Sequence, residues 1–173
     1  LISVLDALLV TGFGLRTATS VTVAGGVATV TLSSDALNAN LLHSVIRPGD
    51  RVSLEGDNQK QADFLSRGLA ASDPARIHDL HMLISSVSRP EHLDLFERGI
   101  ANRLDLAYAG PQSVRIAQLV EDGVVTIGAI HTYVELYARM FVDLTPDVVL
   151  LCAELADTNG NLYTGPNTED TPT

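Results

Sequence analysis

Several short polar segments carry side chains suited to holding an anion or a carbonyl oxygen. Gly56 is followed by Asn58 and Gln59, where an apolar run gives way to a helical pattern. A glycine permits a tight turn there, and the first N–H groups of the next helix have no intrahelical partner. This segment therefore predicts an oxygen-binding loop, although it contains neither a Walker A sequence nor G-x-G-x-x-G. The alternative is a loop of helix caps and exposed polar residues.

Two further segments offer polar groups directly after apolar runs. Gly110 and Gln112 combine a small residue, which lets the backbone approach a ligand, with an amide that can hold a polar group. The alternative is an ordinary turn, because Gly-Pro pairs such as the one at 110–111 are common in turns. His131 follows another apolar run, where an imidazole can exchange protons near neutral pH, and it is the candidate catalytic residue. The alternative is a buried histidine that hydrogen-bonds a neighbour.

Other reactive residue types do not form recognisable sites. No serine lies in G-x-S-x-G, and the sole cysteine, Cys152, falls inside a predicted strand. His78 and His81 lie three residues apart on another predicted strand, so they point to opposite faces, which suits no shared metal. Glu135 and Arg139 have the i, i+4 spacing that stabilises helix surfaces more often than it performs catalysis. We expect no metal site and neither a serine nor a cysteine nucleophile.

The elements that must position these groups alternate along the chain. Short apolar runs predict strands, and the stretches between them have helical periodicity or caps. This order indicates βαβ units and an α/β fold with an open, mostly parallel sheet and flanking helices. Ligands of such sheets bind beyond the carboxyl ends of the strands, where the polar segments fall. The predicted strands are 52–55, 77–84, 104–107, 124–130 and 148–153, and the helices are 58–71, 90–102, 112–121 and 132–142.

Residues 1–34 differ from the rest in composition and in the pattern of their apolar residues. A short helix is predicted first, followed by alternating β-branched and small residues around Gly25-Gly26 that predict a β-hairpin. This appendage offers no obvious chemistry. The α/β domain is expected over 35–173, beginning with a helix at 35–46 that Pro48 ends.

Composition excludes several classes of protein. The chain has 173 residues, 46% of them hydrophobic, and a net charge of -10, which argues against a nucleic-acid binder. One cysteine allows no internal disulfide, which suits a reducing compartment. No apolar run approaches the roughly 20 residues of a bilayer span, so we expect a cytoplasmic protein without membrane contact. Since the chain begins at Leu1 and stops at Thr173, we expect a piece of a longer polypeptide.

Six strings in order resemble the family of malonate decarboxylase α subunits. They are LEGDNQKQADF at 54–64, HDLHML at 78–83, SRPEHLDLFE at 88–97, YAGPQS at 108–113, GAIHTY at 128–133 and GNLYTGPNTEDTP at 160–172. The likeness runs from about residue 41 to Thr173. The run from Pro146 to Asn161 also resembles the wider CoA-transferase superfamily, including the α subunit of citrate lyase.

The resemblance implies one half of a CoA-transferase-like subunit that exchanges acetyl for malonyl on an acyl carrier protein and releases acetate. Its implied partners are the carrier, with a phosphopantetheine-type prosthetic group, the other malonate decarboxylase subunits, malonate and acetate. No cofactor is expected on this chain itself. A glutamate of the second half would attack the thioester, so we expect this part to be inactive alone. The resemblance implies that one wall of the site comes from Gly56, Asn58, Gln59, Gly110, Gln112, His131, Asn167 and Glu169.

Two departures from the family pattern stand out. Asp57 replaces an expected asparagine and adds a negative charge beside the oxygen-binding loop. Residues 1–34 do not resemble the α subunit and are faintly similar to repetitive phage structural proteins. The alternative function is a non-catalytic α/β module that docks carrier and decarboxylase subunits. A Rossmann-type cofactor binder ranks last, because the first strand is followed by only one glycine.

Overall fold

The computed structural model describes residues 20–24, 27–31, 41–56, 63–151, 155–157 and 161–163. Residues 41–45 form a helical turn. Strands and helices otherwise alternate over most of the described part. In chain order the elements are β1 (Ser20–Ala24), β2 (Val27–Thr31), β3 (Arg51–Leu54), α1 (Asp63–Ala70), β4 (Leu80–Ser86), α2 (Glu91–Glu97), β5 (Ala101–Tyr108), a 3-10 turn (Gly110–Gln112), α3 (Ser113–Glu121), β6 (Thr126–Ile130), α4 (Tyr133–Val142), β7 (Val148–Leu150), β8 (Leu155–Ala156) and β9 (Leu162–Tyr163).

Five strands form one open sheet in the order β6-β5-β4-β3-β7. Every neighbouring pair in it is parallel. The predicted α/β fold with an open, mostly parallel sheet and flanking helices is confirmed. All five carboxyl ends therefore lie along one edge, which we call the rim. No helix in the described part of the chain is both long and apolar enough to cross a bilayer.

The predicted hairpin is also present, since β1 and β2 pair antiparallel with Ala24 opposite Val27. Gly25-Gly26, the short helix predicted before the hairpin, and Cys152 lie outside the described residues. The helix predicted over 35–46 is described only from residue 41, where it is helical to residue 45. The predicted stop before Pro48 is confirmed.

One face of the sheet is apolar and carries most of the helices. Alternate side chains of the inner strands meet the helical turn at 41–45 and α1, α2 and α3 in one buried cluster. Burying each large aliphatic side chain there contributes about 1.5–3 kcal/mol. The sheet's share of this cluster includes Val52, Leu54, Met82, Ile84, Leu104 and Leu106.

The opposite face is largely polar, and α4 is the one helix in the described part of the chain that covers it. Here α4 packs through a small cluster of Leu83, Leu136 and Leu144, with Ala107 and Met140 beside it. The strand positions on this face include Arg51, Ser53, Glu55, His81, Ser85, Arg103 and Asp105, by alternation with the apolar positions. The fold therefore places its titratable strand residues under α4.

The boundaries of β4 were predicted two to three residues too early. The strand begins at Leu80 instead of residue 77 and continues through Ser86, which pairs with Tyr108. Asp79 has a φ of 57°, which an extended strand does not allow, and its carboxylate accepts hydrogen bonds from Asn102 and His78. His78 therefore precedes the strand, and the prediction that it shares the strand with His81 is wrong.

The junction between α2 and β5 was also misplaced. The predicted helix ran to residue 102, whereas α2 ends at Glu97 and β5 begins at Ala101. Gly99 has a φ of 74° and its N–H donates to the carbonyl of Phe96, a glycine stop that ends the helix. Of the helix predicted over 58–71, the described part is helical over Asp63–Ala70.

Candidate functional site

Gly56 lies at the rim, directly beyond β3, where two backbones meet closely. A Cβ on this residue would overlap the backbone nitrogen and oxygen of Ser86 at the end of β4. The carbonyl of Gly56 also accepts a hydrogen bond of 2.9 Å from the Ser88 hydroxyl. The glycine thus joins the ends of two neighbouring strands. Asn58 and Gln59, predicted beside it, lie outside the described residues, as do Asn167 and Glu169.

Gly110 and Gln112 occupy the rim beyond β5. They form the 3-10 turn that leads into α3, with Gly110 at a φ of 50°. A side chain on Gly110 would meet the Tyr108 ring, because a Cβ would lie 2.9 Å from Cε1 of that ring. Gln112 is half-buried and its backbone N–H donates to the carbonyl of Ala109. The predicted polar turn is therefore present at the expected end of its strand.

His131 lies at the rim beyond β6 and is buried beneath the first turn of α4. Its backbone N–H continues the ladder by donating to Leu106, and its side chain has no exposed surface. The ring atom Nε2 lies 2.6 Å from Oδ1 of Asp105 in β5. The structure thus shows the buried, hydrogen-bonded histidine that the sequence left open as the alternative, and the catalytic role of His131 stays a prediction.

Asp105 binds a second imidazole through its other oxygen. Nε2 of His81, at the start of β4, lies 2.6 Å from Oδ2 of Asp105. The carboxylate is almost completely buried, and the nearest guanidinium is that of Arg103, with Nε 4.0 Å from Oδ2. We call His81, Asp105 and His131 the imidazole–carboxylate cluster. Sequence reasoning missed Asp105 and assigned His81 no function.

A β-bulge at Gly128 places His131 on the same face as Asp105. Leu104 pairs with Ile127 but Asp105 pairs with Ala129, so Gly128 is the extra residue. Without that insertion the two-residue alternation would turn His131 to the apolar face. The missing side chain also matters, because a Cβ at Gly128 would overlap the Asp105 carboxylate.

The electrostatics of the cluster favour uncharged histidine at His81. Burial lowers the pKa of this imidazole, and the positive charges of Arg103 and Arg51 lower it further. The hydrogen bond and the negative charge of Asp105 act in the opposite direction but do not outweigh burial. His81 therefore gives Asp105 a neutral N–H donor at neutral pH.

Helix α4 contributes charged side chains above the cluster. Oε1 of Glu135 lies 3.4 Å from Nδ1 of His131. Arg139 does not complete the predicted pair with Glu135; it binds Asp143 through two contacts of 3.0 Å and 2.6 Å. The Asp143 carboxylate raises the pKa of the Arg139 guanidinium, and that guanidinium lowers the pKa of Asp143. This leaves Glu135 facing His131.

A cavity of about 450 Å³ opens between α4 and the ends of β3, β4 and β7. Its walls include Tyr137, Phe141 and Val149, and its strand side includes Glu55 and Ser85. Apolar walls with a few polar groups are typical of sites for small organic ligands. Among the described residues, no group of three or more His, Cys, Asp or Glu side chains is arranged to hold a metal ion.

An open parallel α/β sheet with polar loops and a cavity at its carboxyl edge defines a ligand-binding class of fold. The sequence profile of one family, described as malonate decarboxylase, alpha subunit, transporter, matches residues 17–173. The chain belongs to this family. The matched range includes residues 17–34, further toward the start of the chain than the resemblance from the sequence strings extended.

Individual relatives agree with this assignment. A protein of Malonomonas rubra named acetyl-S-ACP:malonate ACP transferase is 57% identical over 132 residues, which are 76% of this chain and 24% of that protein. The malonate decarboxylase α subunit of Acinetobacter baumannii is 62% identical with a TM-score of 0.75, over 78% of this chain and 25% of that one. A Pseudomonas malonate decarboxylase hetero-tetramer solved with malonate gives 63% identity and a TM-score of 0.76, over 82% and 26% of the two chains. This chain thus spans about a quarter of the length of its relatives.

Proposed function

We propose that this chain forms part of an acyl-carrier-protein transferase that acts in malonate decarboxylation. The reaction exchanges the acetyl group on a carrier thioester for malonyl and releases acetate. The proposal is supported by family membership and by the name of the Malonomonas relative. Its partners would be the acyl carrier protein, with its phosphopantetheine-type group, and the other malonate decarboxylase subunits.

The observation that carries this proposal is the arrangement of the rim. Gly56, Gly110, Gln112 and His131 follow parallel strands of one sheet, and the cavity opens at the same carboxyl edge. We propose that these residues, with Asn58, Gln59, Asn167 and Glu169, form one wall of the acyl-exchange site. The thioester-bearing arm would lie in the cavity, its aliphatic part against Tyr137 and Phe141. The attacking glutamate would come from the length of the relatives that this chain does not match.

Acetate release tests the reaction directly. The complete subunit is incubated with acetyl-loaded carrier and malonate, and acetate is measured over time. Release that depends on malonate supports the transferase, and no release contradicts it.

A matched pair of glutamine variants tests the rim. Gln112 lies on the rim, whereas Gln118 is exposed on α3 and its side chain donates to Asp122, just beyond the end of that helix. We expect Gln112→Ala to raise the KM for acetyl-carrier several-fold and Gln118→Ala to leave it unchanged. Equal behaviour of the two variants would contradict the assignment of Gln112 to the site.

The second candidate is a non-catalytic module that docks carrier and decarboxylase subunits. It is favoured by the exposed apolar side chains of α4, which are Val134, Phe141 and Val142. Phe141 and Val142 follow Val134 by seven and eight residues, and exposed apolar side chains grouped in this way are typical of a protein contact. Assembly without acetate release would favour this module, so the same preparation should be analysed by size-exclusion chromatography.

A further inference from the structure

The hydrogen bonds of the imidazole–carboxylate cluster indicate which nitrogen of each histidine ring carries a proton. Two imidazoles each direct Nε2 at a different oxygen of one buried carboxylate, and both distances are 2.6 Å. An ionised carboxylate has no proton to donate, so each Nε2 must carry one. A neutral imidazole has a single N–H, which leaves Nδ1 of each ring as a bare acceptor.

We propose that Asp105 is a positioning residue that holds His131 in its Nε2–H form, so that Nδ1 is the ring atom left for proton exchange. The hydrogen-bond assignment stands on geometry, and its catalytic use rests on the proposed function. The ring has no exposed surface and Nε2 is occupied. Nδ1 is buried and makes no hydrogen bond to any residue that the structure describes.

Glu135 gives Nδ1 access to solvent. Its carboxylate lies 3.4 Å from Nδ1 and its side chain is 53% exposed. When both groups are unprotonated they are two acceptors facing each other, which is unfavourable. A proton that moves from a bound ligand or from Glu135 to Nδ1 produces an imidazolium between two carboxylates, which attract it. The same proton returns when the ring becomes neutral, so none is consumed.

The charges around the ring come from three elements. Asp105 faces it from β5 with Arg103 near the other carboxylate oxygen, His81 reaches that same oxygen from β4, and Glu135 and Arg139 project from α4. His81 supplies the second donor that the buried carboxylate requires, since an unpaired buried oxygen there would be destabilising. Arg139 is already bound to Asp143. The group best placed to exchange a proton with Nδ1 is therefore Glu135.

Histidine ring nitrogens report the assignment directly by 15N NMR of the complete subunit. In the parent protein we expect His81 and His131 both to be protonated at Nε2 and bare at Nδ1. The opposite form at His131 overturns the proposal without any variant being made. Asp94→Asn, on the exposed surface of α2, is the matched control and should leave both rings unchanged.

Asp105→Asn is the decisive variant because it keeps the shape of the side chain and turns one of its two hydrogen-bond acceptors into a donor. An amide has one acceptor oxygen and one NH₂ donor, so it cannot accept from both imidazoles. We expect one of the two rings to move its proton to Nδ1, and two unchanged rings would overturn the proposal. If this variant does not fold, His81→Gln retains an N–H donor and should leave the His131 form unchanged.

Transferase kinetics then separate this inference from the proposed function. If His131 exchanges protons in the reaction, Asp105→Asn lowers kcat by about tenfold or more and shifts its pH profile, with little change in KM. If the protonated nitrogen of His131 changes in this variant while kcat does not, Asp105 still positions the ring but His131 does not exchange protons in the reaction.

Discussion

Asp105 is a charged side chain in the middle of a parallel strand, where both neighbours, Leu104 and Leu106, belong to the buried core. Such a carboxylate is tolerated only when donors satisfy its oxygens. The two imidazoles provide these donors from strands on either side, so the cluster connects β4, β5 and β6 through side chains as well as through the ladder. The room for the carboxylate comes from Gly128.

We predict that Gly128→Ala lowers the free energy of unfolding by about 2 kcal/mol, as overpacking of a filled site does. The added Cβ would displace the Asp105 carboxylate from its imidazole partners. Urea denaturation measures the loss, and the His81 and His131 ring signals should move with it. Gly123→Ala is the control, because its φ of 71° carries only the backbone penalty of about 1 kcal/mol and nothing lies within 4 Å of its Cβ. A loss no larger than that of the control, with unmoved ring signals, would contradict this account of Gly128.

The lowered pKa of His81 predicts a pH dependence of stability. Burial is the largest cause of the lowering from the ordinary value of 6.5. The unfolded chain therefore binds a proton at this ring before the folded chain does, and the free energy of unfolding falls as the pH drops below 6.5. Above that pH the contribution is fully retained.

The prediction for His81→Gln is a smaller loss of stability between about pH 7.5 and about pH 5.5 than in the parent chain. The glutamine keeps an N–H donor for Asp105 but does not titrate. Chemical denaturation at the two pH values measures the difference. His43, whose pKa burial also lowers, accounts for part of the loss that remains. A variant as acid-sensitive as the parent would show that His81 is not responsible.

Helix α4 brings Glu135 over His131, and its first turn is fixed by a cap. Thr132 has extended backbone angles and its Oγ1 accepts a hydrogen bond of 3.1 Å from the N–H of Glu135. This bond satisfies one of the free N–H groups at the helix start and fixes the position of Glu135 in the first turn of α4. The cap therefore links the helix boundary to the cluster.

Removing this cap should cost about 1 kcal/mol of unfolding free energy in Thr132→Ala. Thr132→Ser retains the hydroxyl acceptor and should restore most of the loss. Thermal or urea denaturation of the three chains gives the comparison. Equal stability of the alanine and serine variants would mean that the hydroxyl does not cap α4.

Local patterns in the sequence predicted the strands and helices but misplaced some of the boundaries between them. The pair Gly25-Gly26 predicted the hairpin, and the helices predicted at 112–121 and 132–142 each begin within one residue of the observed start. The misplaced boundaries lie at Asp79 and Gly99, which both have positive φ values. Periodicity does not report such single-residue conformations.

The location of three candidate site residues at the rim could be predicted in the same way, and their function stays a prediction. His131, Gly110 and Gln112 could be found because parallel topology places polar residues after strands at one edge. The alternation of Arg103, Asp105 and Ala107 with Leu104 and Leu106 already marked one face of β5 as polar. What the alternation did not reveal is the partner of Asp105, because the bulge at Gly128 changes which face His131 takes.

The two faces of the sheet are packed unequally, and this should appear in the dynamics of the chain. The apolar face holds the large cluster, whereas α4 is held by Leu136 and a few neighbours while Phe141 and Val142 stay exposed. Elements with few buried contacts open locally at lower free energy than the core. We therefore expect amide hydrogens of α4 to exchange before those of β4 and β5.

Matched cavities on the two faces test this inequality. Leu136 and Leu69 are both completely buried, the first beneath α4 and the second in the large cluster. Each change to alanine should cost about 2–5 kcal/mol locally. Hydrogen exchange measured by mass spectrometry should show Leu136→Ala accelerating α4 with the inner strands nearly unchanged, because α4 can open without them. Leu69→Ala should accelerate the strands as well, since they share its cluster. If α4 in the parent chain is as protected as β4, the helix is an integral part of the core and the two faces are not packed unequally.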